Sequence, residues 1–235
     1  MTSAWPTFPP KQVPQHERML ITKHFVFIHV PRTGGNFIRD ICFEHLPSEW
    51  LIRNALQLHT TYDELAHDFA DLPMLCFVRN PWDWYVSWYH HQMQHYPFER
   101  TGRMWLTAFA GGRNDFRQTV WNCCTGENFE NPSTGPIMRE LDVDHYTARF
   151  IEMTGSGIEN GHLEVGRYEG LREDFRDFLE RHDVPVGEDF LARLADGPAK
   201  HSSERGPHRD YYDEELRDLV ARKARLLIER FGYEF

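Results

Sequence analysis

Apolar residues in this chain gather in short dense runs separated by stretches of helical period. Phe25, Val26, Phe27, Ile28 and Val30 form an aromatic and β-branched run that reads as a buried strand, and it stops at Pro31, which cannot donate to a sheet ladder. An apolar helical segment follows from Asn36 to Leu46. Met74-Leu75-Cys76-Phe77-Val78, bounded by Pro73 and by Arg79-Asn80-Pro81, reads as a second buried strand. His162 to Tyr168 reads as a third, followed by a helix from Gly170 to His182 with Leu171, Phe175, Phe178 and Leu179 on one face. A shorter strand candidate, Arg53 to Leu58, ends at His59. Just beyond it, Thr61 with Glu64 three residues later is a capping box that opens a helix carrying Leu65, Ala66 and Phe69. Asp213 to Phe231 is expected to be one long helix closed by Gly232. Strands alternating with helices predict a three-layer α/β domain with a central parallel sheet.

Between Pro97 and Met138 the pattern is irregular. Gly111-Gly112, Asn131-Pro132 and Gly135-Pro136 punctuate short helical pieces at Trp105 to Phe109 and Phe116 to Trp121, and Ile137 to Met153 reads as one or two amphipathic helices. Trp82, Trp84, Tyr85, Trp88 and Tyr89 crowd the segment after the second strand and are expected mostly in the core.

At 235 residues and 40% hydrophobic content, the chain can bury one substantial core. A single domain over residues 23–235 is expected, preceded by a polar, Pro-rich arm over residues 1–22. The net charge of −10 argues against nonspecific nucleic-acid binding. The longest apolar run is far short of a membrane span, and the first 24 residues lack the apolar centre of a signal peptide. Four cysteines, with Cys123 and Cys124 adjacent, make no disulfide framework and favour a reducing cytoplasm. His91 and His95 lie one helical turn apart with no third ligand in view, so no metal site is expected.

The candidate chemistry lies where the first strand ends. Arg32, Thr33, Gly34 and Gly35 follow Pro31 and lead into a helix at Asn36. Glycines let backbone approach a ligand closely, and a helix start offers N–H groups and the positive end of a dipole, so the turn is an anion cradle suited to phosphate. The G-x-x-x-x-G-K-[ST] pattern of nucleotide triphosphatases is absent, as is the dinucleotide-binding G-x-G-x-x-G.

HVPRTGG resembles the H-x-P-K-T-G-G signature of sulfotransferases that use 3′-phosphoadenosine 5′-phosphosulfate (PAPS). FVRNPWDWYVSWYHH resembles their second signature, F-V-R-[ND]-P-x-x-R-x-x-S-x-[WY], with Arg79 and Ser87 at the two positions that bind the 3′-phosphate. LHTTYDEL is similar to a segment of carbohydrate sulfotransferases of the heparan sulfate 6-O type, whose histidine is the catalytic base, here His59. VGRYEGLREDFRDFLERHDV resembles a late strand–helix unit of the family, and PAKHSSERGP its segment that closes over the nucleotide, which brings in Ser203 and Arg205. YYDEEL…FGYEF matches the closing segment of bacterial members. The resemblance spans roughly residues 23–96 and 162–235.

It implies the P-loop-like sulfotransferase fold and transfer of a sulfuryl group from PAPS to a hydroxyl of a small molecule or glycan, with adenosine 3′,5′-bisphosphate (PAP) as product and no metal. Arg32, Thr33, Gly34, Gly35 and Asn36 would hold the 5′ end, Arg32 and His59 would be catalytic, and residues 97–160 would be an insertion on the acceptor side. There are departures. Arg32 stands where the family has Lys, and arginine, with a pKa above about 12, stabilises charge but scarcely donates a proton. Asn36 replaces Ser or Thr, Trp84 a basic residue, and His201 an Asn. A noncatalytic PAPS- or nucleotide-binding protein and a P-loop nucleotide kinase remain the alternatives.

Overall fold

A computed structural model of the chain describes residues 19–52, 58–95, 115–127, 131–197 and 205–235. Four strands form the sheet in the order β1 (Leu20–Ile21), β2 (Val26–Phe27), β3 (Met74–Val78) and β4 (Leu163–Arg167). β1 runs antiparallel to β2, while β2, β3 and β4 are mutually parallel. Of the expected arm over residues 1–22, residues 1–18 lie outside the described residues and Met19 to Thr22 are buried, with Leu20 and Ile21 paired to β2.

β2 is shorter than the apolar run that contains it. The Ile28 N–H still reaches the Leu75 carbonyl at 2.8 Å, but the Val30 N–H turns back on the Ile28 carbonyl ahead of Pro31. The run stays buried to Val30.

Alternation along the strands divides the core in two. Val26, Ile28, Met74, Cys76, Val78 and Leu163 face one layer, built from α3 (Pro81–His95) and the helices Phe116–Thr125, His145–Thr154 and Glu214–Lys223. Phe27, Leu75 and Phe77 face the other, built from α1 (Gly35–His45), Leu171–Arg181 and Glu188–Asp196. The result is the expected three-layer α/β fold with a mostly parallel central sheet.

Several elements differ from expectation. The strand candidate Arg53 to Leu58 lies almost wholly outside the described residues, and His59 stands in a turn before α2 (Tyr62–Leu65). The capping box is formed, with Glu64 accepting from the Thr61 N–H and hydroxyl at 2.7 and 2.8 Å. The helix it opens is a single turn; Ala66 and Phe69 pack on the core from the turns beyond it. The helix expected over Asp213 to Phe231 is two helices, Glu214–Lys223 and Arg225–Phe231. The Lys223 carbonyl leaves the helical ladder to accept the Asp144 N–H at 3.2 Å, which accounts for the break at Ala224. Among the described residues no helix is long and apolar enough to cross a membrane.

Candidate anion-binding and active site

The carboxyl ends of β2, β3 and β4 open onto a cavity of about 850 Å³, the place where open α/β sheets bind ligands. Its walls come from the turn after β2, the start of α3, the segment after β4 and the chain at Arg205 to His208. Among the described residues, four arginines (Arg32, Arg79, Arg172, Arg205) face it against three carboxylates (Asp83, Glu169, Glu173), so a chain of net charge −10 keeps a locally basic cleft.

The turn is built for close approach. Gly34 has φ 87°, a left-handed conformation that glycine adopts without strain, and it directly precedes α1. A Cβ on Gly35 would lie 2.0 Å from the His29 ring, so only glycine fits beneath that imidazole. Arg32 is also left-handed, at φ 64°, although it is neither Gly nor Asn. Such strain persists where surrounding contacts hold it, and concentrates at functional sites. The Trp84 indole donates to the Pro31 carbonyl at 2.8 Å, and the Arg79 guanidinium to the Arg32 carbonyl at 2.9 Å. Trp84 is therefore a strut under the loop.

Arg32 turns its guanidinium onto Ser87, with Nε and Nη2 donating to Oγ at 3.2 and 3.0 Å. Burial pushes Arg32 down to about 10, helped by Arg79, opposed by Tyr168, and helped again by Arg205. A half-buried cation beside two others calls for an anion. Arg79 is only 3% exposed, and its guanidinium lies 3.8 Å over the Tyr168 ring. Its Nε and Nη2 reach Asp83 Oδ2 at 2.7 and 2.5 Å, and Arg205 Nη2 reaches Asp83 Oδ1 at 2.7 Å. Arg205 Nη1 and His208 Nε2 are buried with no hydrogen-bond partner among the described residues.

Arg32, Gly34, Gly35, Asn36, Arg79, Ser87 and Arg205 thus line one cavity. Asn36 Oδ1 accepts weakly from Arg39 at 3.5 Å. Thr33 does not line it: its side chain is fully buried and the hydroxyl donates to the Val30 carbonyl at 2.8 Å, inside the loop. Ser203 lies outside the described residues. His59 is not part of the lining either, but stands one ring behind it. Its imidazole lies 5.2 Å from that of His29, which does face the cavity. His59 Nδ1 is 3.1 Å from the His29 carbonyl, and since a carbonyl only accepts, Nδ1 carries the proton and Nε2 keeps its lone pair. Burial lowers the His59 pKa; the bond to His29 opposes this, Arg149 and Arg39 add to it, and Glu152 opposes it again. His29 is pushed well down by burial and then by His59, Arg39 and Arg32.

Sequence reasoning missed Asp83, Tyr168 and His208. Asp83 carried a signal, since it lies four residues after Arg79 on a helix start, the spacing of an ion pair. Tyr168 follows the carboxyl end of β4, where ligand-facing residues gather.

This mostly parallel sheet, flanked by helices and carrying a glycine turn at its carboxyl edge, defines a P-loop-like α/β protein. Among solved structures the chain is similar to mouse sulfotransferase SULT7A1 complexed with PAP, with a TM-score of 0.51, 14% identity, and coverage of 86% of this chain and 84% of that one. The likeness shows that the chain has the sulfotransferase fold. No family model and no curated protein matches the sequence.

Proposed function

We propose that the protein transfers a sulfuryl group from PAPS to an acceptor hydroxyl. The observation that carries this reading is the convergence of Arg32, Arg79, Arg205 and Ser87 on one cavity, joined to a helix N-terminus. A ligand with phosphate at both ends of an adenosine fits such a cleft better than a nucleotide with one phosphorylated end. The buried Arg205 Nη1, which lacks a partner among the described residues, is a donor suited to anionic oxygens. The fold shared with a sulfotransferase complexed with PAP supports the same class of donor.

In this reading Gly34, Gly35 and the start of α1 hold the 5′-phosphosulfate, and Arg79 and Arg205 hold the 3′-phosphate. Arg32 sits between them, stabilising the charge that grows on the 5′-phosphate as its bridging S–O bond breaks and a new S–O bond forms to the acceptor. The acceptor's proton passes to His59 Nε2, the lone pair left exposed by the bond to His29. The likeness of the His59 segment to carbohydrate sulfotransferases points to a carbohydrate hydroxyl, with residues 97–160 on the acceptor side. A single-domain organisation, with β1 at Leu20–Ile21 joined to its sheet, belongs to the same proposal, as does a reducing cytoplasmic setting, supported by four buried free cysteines.

A second reading, a noncatalytic nucleotide-binding protein, is favoured by one observation: His59 does not line the cavity that holds the arginines. The experiment that separates the two is transfer of labelled sulfate from PAPS across a panel of carbohydrate and phenolic acceptors, with wild type and His59→Ala side by side. Label in an acceptor that falls sharply in the variant supports catalysis; PAPS binding without transfer to any acceptor supports the second reading.

A further inference from the structure

An anion already occupies part of the arginine cluster, and it belongs to the chain. Asp83 lies in the first turn of α3, one turn before Ser87, and faces the cavity. Its Oδ2 takes both Nε and Nη2 of Arg79, the two-pronged edge with which a guanidinium reads phosphate. The remaining nitrogen, Nη1, donates to the Arg32 carbonyl. Oδ1 takes Arg205 Nη2, and His208 Nδ1 lies 4.0 Å away. Strand tip, helix start and the segment before the C-terminal helices therefore meet on one carboxylate. Burial works to raise its pKa, but Arg79 and Arg205 overcome this and hold it below the usual carboxylate range, so it stays ionised at neutral pH.

A phosphate that reaches Arg79 and Arg205 must displace this carboxylate or lie beside it as a like charge, and either event weakens binding. We propose that Asp83 is a built-in counter-anion of the phosphate site, competing with the ligand's 3′-phosphate for Arg79 and Arg205 and so keeping bound nucleotide exchangeable. The proposal rests on the sulfotransferase reading for the identity of the ligand, but not for the chemistry of the competition. Its consequence is kinetic: as product leaves, the carboxylate takes back the two guanidiniums, so the release path does not leave buried arginines without an anion.

The test uses the full chain, wild type and Asp83→Asn, an exchange that keeps shape and removes charge. PAP and AMP affinities are measured by calorimetry, PAP dissociation by stopped flow, and the rise in melting temperature with inorganic sulfate by thermal denaturation. Asp83→Asn is expected to bind PAP about tenfold more tightly, mostly through slower dissociation, and AMP with a smaller gain, because like-charge juxtaposition at a phosphate site is strongly unfavourable. Unchanged or weaker PAP binding would overturn the proposal and leave Asp83 as a residue that merely orients Arg79. If neither protein binds PAP, the nucleotide reading falls, and sulfate alone decides: a larger shift in the variant supports the competition, while an equal or smaller one overturns it. Asp83→Ser serves for the same measurements if the Asn variant does not fold.

Discussion

The rings of Trp84 and Tyr146 stack with centroids 4.4 Å apart and planes 12° from parallel, and each holds one of the two basic turns of the site. The Trp84 indole donates to the Pro31 carbonyl; the Tyr146 hydroxyl accepts the Arg79 N–H at 2.8 Å and donates to the Arg79 carbonyl at 3.2 Å. The stack thus couples the cradle after β2 to the arginine after β3, although α3 and the helix His145–Thr154 lie far apart in sequence.

Tyr146→Phe should therefore lower both stability and nucleotide affinity. It strips a buried backbone N–H of its partner, a loss of about 1–3 kcal/mol, with little change of volume. Chemical denaturation and PAP titration of the same preparation check this. Loss of stability at unchanged affinity would mean the stack supports the fold without aligning the site.

For Arg32, the Ala variant should lose both PAP affinity and turnover, since it removes the cation proposed to lie between the two phosphates and the donors to Ser87. Arg32→Lys should keep turnover or raise it, because lysine keeps the positive charge beside the departing oxygen and presents it as a compact ammonium able to give up a proton. Steady-state kinetics with PAPS settle the point. A Lys variant that binds PAPS normally but transfers nothing would show that the guanidinium fork on Ser87 is essential.

His59→Ala should reduce turnover by about 10² to 10⁴ and leave PAP affinity nearly unchanged, the signature of a general base that faces the acceptor. The wild-type rate should also rise with pH along an acidic limb. Because burial lowers the His59 pKa, the midpoint of that limb is expected below 6.5, so the base is neutral and competent at pH 7. A midpoint above 6.5 would remove His59 from the role, and near-normal turnover in the variant would transfer the search for the base to His29, His90 or His91.

Acid sensitivity of the fold has a separate origin. His145 is buried beside Thr134, and burial, then Arg149, pushes its pKa down to about 3; burial pushes His29 down as well. As pH falls below about 6.5 the unfolded chain takes up protons that these folded imidazoles refuse, so stability is lost with falling pH, at up to about 1.4 kcal/mol per pH unit for each group. Melting temperatures from pH 7 to pH 5 should decline less steeply in His145→Asn than in wild type. Equal slopes would remove His145 from the account.

Much of this architecture was legible in the sequence because it follows from local pattern. The buried runs at Val26 to Val30 and Met74 to Val78, each closed by a turn residue or a cation, and the strand read over His162 to Tyr168 mark both the strands and the carboxyl edge where Arg32 and Arg79 emerge. The glycines of the cradle and the capping box at Thr61 were equally local. What escaped was set by partners distant in the chain. The helix break at Ala224 depends on Asp144, whose N–H donates to the Lys223 carbonyl. Trp84 looked like a lost phosphate ligand because its partner, the Pro31 carbonyl, is defined only once the loop is folded.

The central claim is that the arginine cleft is made for a nucleotide carrying a 3′-phosphate, and melting temperature against nucleotide tests it most directly. With adenosine 3′,5′-bisphosphate at about a hundred times its dissociation constant, binding should add about 2.7 kcal/mol, roughly 5–10 °C for a chain of this size. AMP and ADP at the same concentration should shift it far less, and Arg79→Ala should erase the difference. Equal shifts from all three nucleotides, or none from the bisphosphate, would contradict the account.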